Sequence, residues 1–366
     1  MKKKEFIQEL KKHQKLSKGQ KGIHALNNNI IIKAIDSESC ELRSTDLNIM
    51  MTTTCKNIQE VIFMPTFSEV LINPDLLIKY LSKQGCCLKI EDNQVVLDNR
   101  IKLNYIDPNY FPIFPEFDGL GNHLQVDLDS MKRLVNYCGN DVTNPMYSGI
   151  NFQNDEEEND IMATTDSKII ACLRDEISHC LVSNIDDDNS PRYNFTISKN
   201  IVKYLDNKNV IIDFANKRVR IKDGNTEILA NMYEGKYPVY KVVYKKMHKN
   251  TYSMKLSDIE AFLSLVDNDC TILVFDFSRI DTVVLEYISK IDYSRITQEC
   301  PCQIAHNDLD RELVGKIGLN PKYLKKYIKA SMSKTCENFV MKIGSATEPV
   351  HFSYDNVVLM PLRLED

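Results

Sequence analysis

The sequence predicts an α+β protein of three similar domains, each with two helices packed on antiparallel sheets. Three observations predict it. One helix is written three times, as "INPDLLIKYLSKQ" (72–84), "ISKNIVKYLDNK" (197–208) and "GLNPKYLKKYIKA" (318–330). A single register aligns the copies and places Lys79, Lys203 and Lys326 just before Tyr80, Tyr204 and Tyr327. Between the copies lie short apolar pieces split by Asn, Asp and Gly, the pattern of strands joined by hairpins. A repeat of roughly 120 residues is too long for a solenoid unit and long enough to own a core. The 366 residues are therefore expected to divide as 1–122, 123–248 and 249–366.

Each copy of the helix has apolar residues one turn apart, Leu77 with Leu81, Ile201 with Leu205 and Leu324 with Ile328, so each has one face to bury. Asn73-Pro74 and Asn320-Pro321 provide a cap and then a ring suited to the first helical position, and Ser198 opens the remaining copy. A second amphipathic helix opens each domain, over 2–16, 128–137 and 256–266. Strands are expected in "NNIIIKAI", "QVVLDN", "RIKLNYI", "NVIIDFA", "RVRIKDG", "TILVFDFS", "TVVLEYI" and "FVMKIGS". "RSTDLNI" (43–49) and "ATTDSKI" (163–169) also repeat, and Asp46 and Asp166 at one place in both suit a turn. The acidic stretches 154–160 and 185–190 lack the Gly and distal Glu of a calcium loop and are expected as solvated hairpin tips.

The formal net charge of −5 argues against a protein that simply coats nucleic acid. Its distribution points elsewhere. The three repeated helices carry nine lysines against Asp75 and Asp206, and the first helix adds Lys2, Lys3, Lys4, Lys11, Lys12 and Lys15 against Glu5 and Glu9. One lysine-rich helix is an ordinary solvated face. Three equivalent ones, related by rotation, form a continuous basic surface that suits a phosphate backbone held by charge and counterion release. Few arginines and no tryptophan fit contacts that position DNA without reading bases.

No apolar run reaches the 18 or so residues of a membrane span, and the lysine-rich start lacks the apolar stretch of a signal peptide, so a soluble cytoplasmic protein is expected. The 11 cysteines form no regular framework and are expected as reduced core and surface thiols, with Cys302 and His306 only a weak zinc pair. The seven histidines are scattered, and neither a P-loop nor a dinucleotide fingerprint occurs, so no enzyme and no cofactor is expected.

The order and spacing of "NNIIIKA", "LRSTDLNI" and "YIDPNYFP", then "MKRLVNY", "IMATTDSKIIA" and "MYEGKYPVYKVV", then "IGLNPKYLKKYIKA" and "VVLMPLRL" resemble the bacterial sliding clamp, the beta subunit of DNA polymerase III, over nearly the whole chain. The resemblance implies a DNA-clamp fold closed into a ring as a head-to-tail homodimer, a non-catalytic processivity factor that encircles duplex DNA. It also implies a cleft that holds short peptides of the polymerase, the clamp loader and repair proteins. By position, the cleft residues would be Thr165, Ser167, Lys168, Ile169, Ile170, Pro238, Val243, Val358, Leu359, Met360, Pro361, Leu362 and Arg363, with Tyr147 and Gly149 beside them.

DNA would meet Lys21, Lys79, Lys199, Lys203, Lys322, Lys326 and Lys329, and the subunit joint would include Arg100 and Leu103, with a third-domain partner in or after 262–269. The chain departs from the family's usual Gly-His-Arg-Leu at Ser167-Lys168-Ile169-Ile170, which removes a charged fork and adds apolar area. An accessory clamp of a mobile element, with altered partner preference, is the alternative within the same fold.

Overall fold

The computed structural model describes residues 1–18, 28–91, 93–117, 122–141, 143–154, 160–174, 177–181, 193–239, 241–244, 250–267, 270–288, 294–306, 314–332 and 336–364. Six α-helices occur among them: α1 (Lys3–Ser17), α2 (Asp75–Leu81), α3 (Leu128–Val135), α4 (Lys241–Tyr244), α5 (Leu256–Leu265) and α6 (Pro321–Ser331). The fold is α+β, as expected, and every described strand pairing is antiparallel except Val61–Phe63 with Cys86–Glu91. Among the described residues no helix is long and apolar enough to cross a membrane.

The helices start where the sequence places their caps. The Oδ1 of Asn73 accepts from the Asp75 N–H at 3.0 Å and that of Asn320 from the Lys322 N–H at 2.9 Å, satisfying donors that a first turn leaves open. At α1 the Glu5 carboxylate accepts from the Lys2 N–H at 2.9 Å. The second copy differs from expectation: Lys199–Tyr204 is a 3₁₀ helix. It lacks the proline that opens the other two, and the adjacent β-branched Ile201 and Val202 are poor α-formers.

Packing divides the chain into two compact units. The first comprises Met1–Leu128, Ser178–Pro191 and Asn200–Met232. Its nine-stranded sheet runs Ile177–Leu181, Asn122–Asp127, Asn209–Ala215, Arg218–Asp223, Thr226–Asn231, Ile49–Cys55, Cys40–Thr45, Ile30–Ala34, Glu69–Ile72. A four-stranded sheet runs Val61–Phe63, Cys86–Glu91, Gln94–Leu97, Ile101–Asn104. Helices α1 and α2 close the core between them, with Phe6, Leu10, Leu77 and Leu81 against Ile30, Ile32, Leu42, Leu88 and Leu97.

One polar line crosses this core. His13 of α1 is fully buried, with Nδ1 2.8 Å from Ser44 Oγ and Nε2 2.9 Å from Thr53 Oγ1, which lies 2.9 Å from Thr226 Oγ1. Both ring nitrogens of a neutral imidazole are thus satisfied, one donating and one accepting. Burial holds the ring neutral, with its pKa lowered from 6.5 to about 3.

The second unit comprises Asp129–Ile177, Arg192–Lys199 and Tyr233–Asp366. Its twelve-stranded sheet runs Asn194–Ser198, Gly149–Asn154, Asp160–Thr165, Ile169–Arg174, Val357–Leu359, Val350–Phe352, Asn338–Ile343, Asn250–Lys255, Arg295–His306, Thr282–Ile288, Leu273–Asp276, Lys316–Leu319. Tyr327 of α6 is fully buried against Phe339 and Phe352, at ring distances of 6.0 and 4.5 Å. Eight of the described cysteines are buried and Cys87 and Cys336 are half-buried, all as free thiols.

Candidate functional site

The repeated Thr-Asp motif folds into the same turn twice. In the first unit Thr45 Oγ1 donates to the Ile49 carbonyl at 2.9 Å and accepts from the Leu47 N–H at 2.8 Å, while Asp46 Oδ1 accepts from the N–H groups of Asn48 and Ile49 at 3.0 and 2.7 Å. In the second unit Thr165 Oγ1 donates to Ile169 at 2.8 Å and accepts from Ser167 at 3.1 Å, and Asp166 Oδ1 accepts from Lys168 and Ile169 at 3.0 and 3.1 Å. Both turns drive the third residue left-handed, with φ of 72° at Leu47 and 77° at Ser167. A left-handed L-residue is strained by about 1–2 kcal/mol, partly offset in glycine by extra freedom in the unfolded chain. Ser167→Gly is therefore expected to raise stability by about 0.5–1 kcal/mol in urea unfolding, and a loss of stability would contradict this account.

This turn frames an apolar surface. Ile169 lies opposite Leu359 and Ile170 opposite Val358, and the Met360 N–H donates to the Lys168 carbonyl at 3.0 Å. The tail continues past Pro361 to Leu362, whose N–H donates to the Gly318 carbonyl at 2.8 Å. The approach is close: a Cβ on residue 318 would stand 3.1 Å from the Leu362 carbonyl and 2.8 Å from the tip of the Leu364 side chain, so the tail would have to shift to admit one. Thr165, Ile169, Val358 and Leu359 are buried and hold the surface from beneath. Ile170, Pro361 and Leu362 are half-buried, Met360 is 41% exposed, and Ser167, Lys168 and Arg363 are exposed.

The half-buried Pro238 and Val243 join through their neighbours: Tyr237 is buried with Met146, Ile161, Ala163 and Cys172, and Ile170, Tyr233 and Tyr244 pack on that cluster. Met146 immediately precedes Tyr147, and Gly149 is packed too closely against Thr196 and the Ile197 carbonyl to carry a side chain. Sequence reasoning did not select Tyr323. Its hydroxyl hydrogen-bonds the Asp166 carboxylate, and its pKa is raised by burial first and by Asp166 second. Nothing in a linear motif announces that pairing, which depends on how α6 packs.

Basic side chains gather on each unit. On α1, Lys4, Lys11 and Lys15 with Gln8 are exposed at helical spacing, opposite buried Phe6, Leu10, His13 and Ser17, and the C-cap residue Lys18 is exposed just beyond them. Lys3 and Lys12 are instead paired, with Glu60 at 2.5 Å and Asp206 at 2.6 Å. Lys79 and Lys203 are exposed. Burial and then Lys15 lower the Lys203 pKa, which puts Lys203 beside the α1 stripe.

In the second unit Lys322 and Lys329 are exposed, whereas Lys326 is half-buried near Asp166, Cys138 and Lys199, with its pKa lowered chiefly by burial. Lys199 donates to the Gly139 carbonyl and to Asn140 Oδ1, the latter at 2.5 Å. Lys21 lies outside the described residues.

Among the strand edges with no described partner strand, two come from the opposite ends of the chain. The Ile101–Asn104 strand ends the four-stranded sheet, with Arg100 and Ile101 exposed and Leu103 buried in its own unit's core. Residues 295–301 pair on one side with 282–288 and have no described partner on the other.

No protein-family profile and no curated protein matches the sequence. Solved structures do match. The DNA polymerase sliding clamp of Bacillus subtilis is 15% identical, with a TM-score of 0.80 over 99% of this chain and 98% of that one. The sliding clamp (DNA polymerase III subunit beta) of Bartonella birtlesii, bound to griselimycin, is 16% identical, with a TM-score of 0.81 over 100% and 99%. The Helicobacter pylori beta clamp, bound to a DNA ligase peptide, is 16% identical, with a TM-score of 0.79 over 99% and 98%. From end to end, this chain has the fold of the bacterial sliding clamps.

Proposed function

We propose that the chain is a DNA sliding clamp, a non-catalytic cytoplasmic processivity factor whose two copies close into a ring around duplex DNA and tether a polymerase, a clamp loader and repair proteins. The observation that carries this reading is a likeness to sliding clamps that spans 98–99% or more of both chains. The motif repeats support a division into clamp domains 1–122, 123–248 and 249–366. Strands of the first two segments pair at Thr226–Asn231 with Ile49–Cys55, and those of the last two at Ile169–Arg174 with Val357–Leu359.

Phosphate would be held by the exposed lysines of α1, by Lys79 and Lys203, and by Lys322 and Lys329, with Lys199 and Lys326 adding to the field from more buried positions. Lys21, in the family's DNA-contacting loop by position, belongs with them. Such contacts ignore sequence and are individually weak, which permits sliding. The open edge beside Arg100 and Ile101, backed by Leu103, would pair with residues 295–301 of a second copy, and ring closure then leaves neither edge exposed.

Encirclement has a topological signature. A loaded ring is expected to stay on closed circular duplex at salt that strips it from short linear duplex, because only the linear form offers an end to slide from. Equal loss from both, read by gel filtration of labelled protein, would reduce the reading to ordinary surface binding.

Partner peptides would lie along Ile170, Pro238, Val243 and the tail from Met360 to Arg363, where thioether and branched side chains adapt to aliphatic or aromatic anchors. Helicobacter pylori clamp binding of a DNA ligase peptide is the precedent. Met360 is 41% exposed, so covering what remains is worth about 0.6–1.2 kcal/mol, and Met360→Ala is expected to weaken peptide binding roughly threefold to eightfold in anisotropy titrations. An unchanged affinity would move the site elsewhere.

A further inference from the structure

Three segments that supply the proposed cleft converge on a side chain that this reading does not use. Tyr244 is the last residue of α4 and follows Val243. Its hydroxyl donates to the Asn356 carbonyl at 2.5 Å, in the turn that leads into the Val357–Leu359 strand. Its ring meets His351 edge-on, with centroids 5.7 Å apart and planes at 87°. His351 is buried and lies opposite Val358. The same ring packs on the Met146, Ile161, Ala163, Cys172 and Tyr237 cluster that also receives Ile170.

The arrangement matters because α4 is a single turn of four residues. One turn cannot hold itself in water, so its place depends on outside anchors. The tail strand has anchors of its own: it pairs with the Ile169–Arg174 strand, and the Cys172 N–H donates to the Asp355 carbonyl at 3.3 Å. Loosening Tyr244 would therefore release α4, and Val243 with it, while the tail and the sheet stay in place.

We propose that Tyr244 is the positioning residue of the peptide cleft, fixing the distance between α4 and the tail and so the size of anchor the cleft accepts. The proposal rests on the reading of this surface as a peptide site. Tyr244 acts through Val243 and the tail and need not touch the peptide. Its two holds are separable, since phenylalanine keeps the ring against His351 and removes only the bond to Asn356.

The test uses the full chain and a fluorescein-labelled copy of the DNA ligase peptide that the Helicobacter pylori clamp binds, in versions with a leucine or a phenylalanine anchor. Tyr244→Phe is expected to weaken binding about threefold to tenfold, the effect of one hydrogen bond, and Tyr244→Ala to weaken it further. Both variants should shift the leucine-to-phenylalanine preference while the melting temperature of Tyr244→Phe stays at the wild-type value, a pattern that a purely structural residue does not give. Wild-type binding with both variants within twofold and the preference unmoved overturns the Tyr244 proposal alone. Failure of the wild type to bind either peptide overturns the cleft reading and this proposal together. If Tyr244→Ala fails to fold, the Tyr244→Phe result decides.

Discussion

Phe6→Ala is expected to destabilise the first unit by about 3–5 kcal/mol, the range for removing a buried aromatic ring from a packed core. Phe6 is fully buried on the underside of α1, among Leu10, Leu42, Leu77 and other residues of the cluster that α1 and α2 close. The same helix carries the exposed Lys4, Lys11 and Lys15 stripe, so a loosened α1 also loses its fixed presentation of charge. Hydrogen exchange should show lost protection in the first unit, and retention on circular DNA should fall. Peptide affinity should not change, because every residue of the proposed cleft belongs to the second unit. A loss below about 1 kcal/mol would mean that the ring is not packed as described.

The second large effect is a dependence of stability on pH that comes from His13. Its folded pKa is lowered from 6.5 to about 3, by burial first and by Lys12 second. Above pH 6.5 the ring is neutral in both folded and unfolded chains, and the His13–Thr53–Thr226 line contributes in full. Below that the unfolded chain takes up a proton that the folded one refuses, so stability falls as pH drops from 6.5 towards about 3. One such group gives a slope of somewhat more than about 1 kcal/mol per pH unit.

Nearby Glu9 titrates as well, with its pKa raised by burial and by Asp206 and Asp223 against the opposing pull of Lys12. The informative quantity is therefore a difference. Urea midpoints of wild type and His13→Gln at pH 7, 6 and 5 should converge as pH falls, since glutamine keeps a polar contact and does not titrate. Parallel pH profiles would remove His13 as the cause.

The sequence made legible what local chemistry determines. Asn-Pro caps located α2 and α6, and alternation located the strands at 209–215 and 282–288 to the residue. It fared worse where a tertiary neighbour decides. The 3₁₀ form of Lys199–Tyr204 follows from a missing proline and two β-branched residues, features that weaken a helix without naming its replacement. Ile101 and Leu103 are two residues apart and share one strand face, so alternation cannot separate them, and only the packing shows that Leu103 enters the core while Ile101 stays exposed.

Helix α4 has no periodicity to detect, and Tyr244 becomes conspicuous only when Ile170, His351 and Asn356 are brought to it from far along the chain. The cleft is legible as a string of residue types. Which of those residues form its surface and which support it is a matter of burial, and burial is not written in the motif.

The twin turns at Thr45 and Thr165 separate shape from identity. In each, two short polar side chains hold the backbone from within, and the two residues at the tip join those bonds through their N–H groups and not through their side chains. Leu47-Asn48 and Ser167-Lys168 occupy one outline with unrelated chemistry. A surface built on such a hairpin can be rewritten one tip residue at a time while the chain keeps folding. Recognition can therefore diverge between copies of a common architecture even when little else in them changes.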